Sequence, residues 1–128
     1  MTIYFEAGSE TASLSSEDLR AALAETFEKL GQPQKTLLLP PDHTRLFSRA
    51  GEITSLCYEM LGDRIADIMP ALGTHSPMKP EQLSHMFPGV PMELFRPHRW
   101  RDDVVTLGTV PADFVAENPD LVASFLKV

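Results

Sequence analysis

Cysteine is nearly absent: Cys57 stands alone in 128 residues, which excludes an internal disulfide and an all-cysteine metal site and fits a reducing compartment. Basic residues are few. The 11 Lys and Arg against 18 Asp and Glu leave a net charge of −7, and no Lys/Arg run exceeds two residues. That balance opposes the counterion release that drives binding to phosphate backbones, so no nucleic-acid partner is expected. Long apolar runs are missing too. Met1–Glu10 carries Glu6 and Glu10 and lacks the apolar stretch of about 7–15 residues found in a secretory leader. No later run approaches the roughly 18 apolar residues of a membrane span, and the expectation is a cytoplasmic chain without membrane contact. The strings G-x-S-x-G, G-x-G-x-x-G and G-x₄-G-K-[ST] do not occur, which removes the usual hydrolase elbow, dinucleotide and triphosphate signatures. The four histidines have no H-x₃-H or Cys-His spacing, so a zinc site made by protein alone is not supported.

What is present reads as one domain over residues 1–128, without repeats or an internal linker. Thr2–Ala7 is β-prone at Ile3, Tyr4 and Phe5. Ser15 and Ser16 are good helix N-caps, and Leu19, Leu23, Phe27 and Leu30 form an apolar stripe ahead of Gly31, which predicts a helix over 16–30. Thr36–Leu39 is a short apolar run stopped by Pro40 and Pro41, the pattern of a buried strand. Ile53, Leu56, Cys57, Met60 and Leu61 recur at helical spacing and end at Gly62, which predicts a helix over 49–61 with Cys57 as core packing. Arg64–Leu72 reads as a second strand that Pro70 places at an edge or an end. A short helix follows from Pro80 to about Phe87, where His85 is an ordinary surface or half-buried side chain. Further strands are expected at Met92–Phe95 and Val104–Leu107, and a helix over 114–125 broken by Pro119. The fold class expected is α/β: a parallel-type sheet of βαβ units with helices on both faces.

In such sheets ligands bind at the carboxyl ends of the strands. Two polar loops fall there, Asp42–Arg45 and Gly73–Ser76, and they are expected to face one crevice. Arg45 offers a planar fork of donors for carboxylate or phosphate, with Thr44 and the free N–H groups ahead of the next helix as neutral donors. Asp42 could orient that guanidinium or bind a ligand hydroxyl. The plainer reading of the same residues is a loop salt bridge with a helix cap. His75 suits an exchange of protons near neutrality, and its plainer reading is a hydrogen-bonded loop histidine.

Taken together, Asp42-His43-Thr44-Arg45 after one strand and Ala71-Leu72-Gly73-Thr74-His75-Ser76-Pro77-Met78 after the next resemble the amino-terminal domain of the lactate racemase family, which uses a nickel-pincer nucleotide. The family pattern is D-x-T-R followed, across a helix, by A-L-G-T-H-[RS]-P-M. Two linked motifs are far more specific than either alone. His98 through Thr109 is also similar to the family's H-D…D…L-G-T stretch, with Arg99 where Asp is commoner, and the resemblance spans roughly residues 16–115. It implies a racemase or epimerase of 2-hydroxy acids that works by hydride transfer. Asp42, His43, Thr44 and Arg45 would contact the cofactor, Arg45 would also hold the substrate's anionic group, and His75 would be one of two acid/base histidines.

The family's downstream H-x₃-G-x-S-G-G-x-K-like segment supplies the second histidine and the lysine that carries the cofactor, and a further histidine ligates nickel. No Gly-Gly pair occurs in this sequence, and Lys127 lies in no such context. The expectation is therefore a partial amino-terminal domain, inactive alone, with the remainder of the enzyme as its partner. A reading from another class is a stand-alone module that binds a small anion at Arg45 without catalysis.

Overall fold

A computed structural model describes residues 2–106 and 108–120. Helix α1 spans Ser16–Lys29 and opens with a capping box, in which Ser15 Oγ accepts from the Asp18 N–H at 3.1 Å and the Asp18 carboxylate accepts from the Ser15 N–H at 2.8 Å. None of its residues is fully buried, and Phe27 is the one that reaches the core. Strand β1 (Thr36–Leu38) pairs in parallel with β2 (Ile65–Ile68), and helix α2 (Ala50–Leu61) makes the crossover between them. The expected βαβ unit is therefore present, as a mixed helix and strand fold around a small two-stranded parallel sheet. Arg49 enters α2 in the left-handed region at φ 62°, its side chain held by Glu52 at 2.7 and 3.0 Å. Gly62, at φ 52°, ends the helix. Helix α3 (Pro80–Met86) starts on its proline, as the sequence predicts.

The strands continue pairing past their formal ends. Leu38 C=O accepts from the Met69 N–H at 2.9 Å, Pro40 C=O accepts from the Ala71 N–H at 2.7 Å, and Pro41 bridges Ala71 in parallel. Prolines 40, 41 and 70 have no N–H to donate, so the regular ladder stops while the two chains stay side by side. This corrects the longer strand expected over Arg64–Leu72.

Met92–Leu94 forms a 3₁₀ turn instead of a strand. Only Phe95 reaches the sheet, through one bridge to Ile68, and Pro91 and Pro97 on either side leave no length for a ladder. Thr2–Ala7 and residues 104–106 form no strand. Ile3 and Phe5 are exposed, as are Val104 and Val105, so neither stretch has a buried face to pay for pairing, and Leu107 lies outside the described residues. Helix α4 is Ala112–Glu117 and ends at Asn118, whose φ −127° and ψ 56° lie outside the α region that a following proline disfavours; residues 121–125 of the expected helix lie outside the described residues.

The core gathers Leu61, Ile65, Ile68, Met86, Phe87 and Val90, joining the end of α2, β2 and the end of α3. Phe87 and Phe95 stack at 5.2 Å between ring centroids, tilted by 38°. Cys57 is buried as core packing, and burial pushes its thiol pKa up, away from the reactive thiolate. Among the described residues no helix is long and apolar enough to cross a membrane.

Candidate functional site

Parallel pairing decides the geometry of the two loops. Because Pro41 lies opposite Ala71, the residues that leave the paired region next, Asp42 on one side and Leu72–His75 on the other, emerge at the same end of the sheet. Asp42 is buried, at 3% exposure, and both of its oxygens are engaged. Its Oδ1 accepts from the Thr44 N–H at 3.1 Å and from the Thr44 hydroxyl at 2.5 Å, capping the 3₁₀ turn His43–Ser48. Its Oδ2 lies 2.6 Å from His75 Nδ1. Burial pushes the Asp42 carboxyl up, but the bonds from the Thr44 hydroxyl, His75 and the Thr44 N–H outweigh it and hold the pKa below the ordinary carboxylate value. An ionised carboxylate can only accept, so the proton of the 2.6 Å contact belongs to His75 Nδ1. In the neutral ring Nε2 then carries the free lone pair, and the His75 side chain is 53% exposed.

Asp42 thus orients His75 and Thr44, where the sequence allowed an Asp42–Arg45 pair or a ligand hydroxyl. Arg45 is exposed, and its side chain makes no hydrogen bond or ion pair among the described residues. Its backbone N–H donates to Asp42 C=O at 3.0 Å, which fixes the turn and leaves the guanidinium free. His43 is half-buried, with its Nδ1 buried and unpartnered. His85 is exposed, on α3.

His75 lines a cleft of about 140 Å³ together with Pro77, His98, Arg99, Trp100 and Arg101. His98 accepts the Leu72 N–H on its Nδ1 at 3.4 Å, which ties the 97–103 segment to the loop that carries His75. The Arg101 guanidinium lies 3.9 Å over the Trp100 ring, and Arg99 faces Asp103 at 3.5 Å. Sequence reading left His98 without a role and gave none to Trp100 or Arg101. The signal within reach was the dense H-R-W-R string, but only the folded chain brings it to His75. Among the described residues no group of three His, Cys, Asp or Glu side chains is placed to hold a metal ion. No protein-family model, curated protein or solved structure matches the chain.

Proposed function

We propose that this chain carries the acid/base and anion-holding part of a lactate racemase-like site, which interconverts the enantiomers of a small 2-hydroxy acid by hydride transfer. The observation that carries the reading is the Asp42–His75 contact of 2.6 Å, made between the two motifs on which the sequence resemblance rests. With Nδ1 held by a buried carboxylate, His75 presents Nε2 as the group that takes the proton from the substrate hydroxyl and returns it, while the Asp42 charge stabilises the imidazolium formed in between. The free Arg45 guanidinium, a few residues from Asp42 along the chain, is suited to an anionic group. A nickel-pincer nucleotide, when bound, would supply the hydride acceptor. The residues here fit only the anionic portion of that group: Arg45 has an unspent guanidinium and His43 an unpartnered Nδ1, whereas the lysine anchor motif does not occur in this sequence. The fuller parallel sheet with helices on both faces, a cytoplasmic location and assembly with the remainder of an enzyme belong to the same proposal. The free Arg45 also favours the second reading, a module that binds a small carboxylate or phosphate without chemistry.

The test is a fusion in which the downstream half of a lactate racemase-family enzyme follows Gly108 of this chain, with lactate enantiomers resolved by chiral chromatography. In an active fusion, His75→Ala is expected to lower kcat by about 10²–10⁴-fold while KM changes little. His85→Ala should leave both unchanged. A His75→Ala fusion within about threefold of its parent would remove the catalytic role and leave the binding module as the better account.

A further inference from the structure

Across Pro77 and His98 from the His75 cleft lies a second cavity, of about 120 Å³, whose apolar walls include Leu72, Met78, Leu83 and Phe95. Pro77 and His98 line both spaces, so the two adjoin. The bond from the Leu72 N–H at 3.4 Å holds the His98 ring at the boundary of the two. The one cation on the apolar side, Arg96, has its charge engaged elsewhere, with Nε 2.8 Å from Asp67 and Nη1 donating to Glu93 C=O at 2.7 Å. An imidazole with a free ring nitrogen on one side and a mostly apolar recess on the other make a site with two chemically distinct ends.

We propose that the apolar recess receives the substituent on the α-carbon of the substrate, and that the site therefore prefers 2-hydroxy acids with a branched chain of about four carbons to lactate. This rests on the 2-hydroxy acid reading of the His75 site and specifies its substrate class. Size supports it: an apolar cavity of about 150 Å³ accepts benzene, so 120 Å³ suits an isobutyl group, whereas a methyl group would leave most of the recess unfilled. Each methylene placed in an apolar pocket is worth about tenfold or more in discrimination.

The experiment is a titration of the full chain, labelled at its methionine and leucine methyls, its histidine rings and its arginine side chains, with lactate and with 2-hydroxy-4-methylpentanoate. Both acids are expected to shift His75 and Arg45. Only the branched acid should shift the Met78 and Leu83 methyls, and it should bind about tenfold more tightly or better. Leu83→Phe, which narrows the recess, should bring the two acids to similar affinity without weakening lactate. Should that variant not fold, 3-methylbutan-1-ol added to the unaltered protein provides the same check, since it should shift the same methyls and compete with the branched acid alone. If both acids shift His75 and Arg45 but the methyls stay still and the affinities match, the recess proposal is overturned and the 2-hydroxy acid reading stands. If neither acid moves His75 or Arg45, the 2-hydroxy acid reading fails and the recess proposal goes with it.

Discussion

Asp42 concentrates three tasks in one side chain: it caps a 3₁₀ turn, takes the Thr44 hydroxyl and sets the tautomer of His75. Its pKa is held low, so folding favours the ionised form. The stabilisation is therefore complete above the unfolded carboxylate value of about 3.9 and is lost as pH falls through the lower folded value. Asp42→Asn is expected to lower the melting temperature near neutrality, for a loss on the order of 1–3 kcal/mol, as charged hydrogen bonds are broken or weakened. Thermal melts of both proteins across pH should show the gap narrowing below about pH 4, where the wild-type carboxylate is itself becoming protonated. A gap that stays constant down to about pH 3 would mean that the carboxylate charge contributes nothing. Both partners of this contact were legible in the sequence as loop residues, but their pairing was not. Arg45, three positions away, was an equally good partner on paper, and only burial of Asp42 and the direction in which the turn leaves the strand decided for His75.

Helix α2 shows how an element can be legible while its packing is not. Of the apolar spacing Ile53, Leu56, Cys57, Met60 and Leu61, the residues Leu56, Cys57 and Leu61 are buried, while Ile53 and Met60 are half-buried. The spacing says nothing of Gly51, which is buried on the same helix because the backbone of Met86, at the end of α3, lies against it. A Cβ at position 51 would stand 2.1 Å from Met86 O and 3.1 Å from Met86 C, backbone atoms that no rotamer can move. Gly51→Ala is therefore expected to destabilise the protein by about 1–3 kcal/mol, although alanine outranks glycine by about 1 kcal/mol in helix propensity. A melting temperature equal to or above that of the parent would show that α2 and α3 do not meet so closely. The strands expected at Met92–Phe95 and over 104–106 are missing for the opposite reason: Phe95, Val104 and Val105 are β-prone, but a strand exists only where another offers its edge. At Phe95 that offer amounts to one bridge.

At the scale of the molecule, stability rests on the cluster that joins α2, β2 and α3, where Ile68 is fully buried and Phe87 nearly so. Truncating either leaves a cavity that the surrounding helices cannot close: Ile68→Ala is expected to cost about 2–5 kcal/mol and Phe87→Ala about 3–5 kcal/mol in urea unfolding. Phe47, 97% exposed, is the contrast, and Phe47→Ser should stay within about 0.5 kcal/mol of the parent. Equal losses at Phe47 and Phe87 would place the core elsewhere. What the sequence determined by itself is local: a serine N-cap for α1, the start of α3 on Pro80, the spacing of α2, and two polar loops that follow apolar runs. These follow from hydrogen bonds and side-chain periodicity within a few residues. Tertiary structure alone decided which histidine meets Asp42, that Gly51 carries the α2–α3 contact, and that His98 stands between a cleft and an apolar recess. Those contacts join residues about 26 to 35 positions apart, and they depend on the register of two parallel strands, which no local preference encodes.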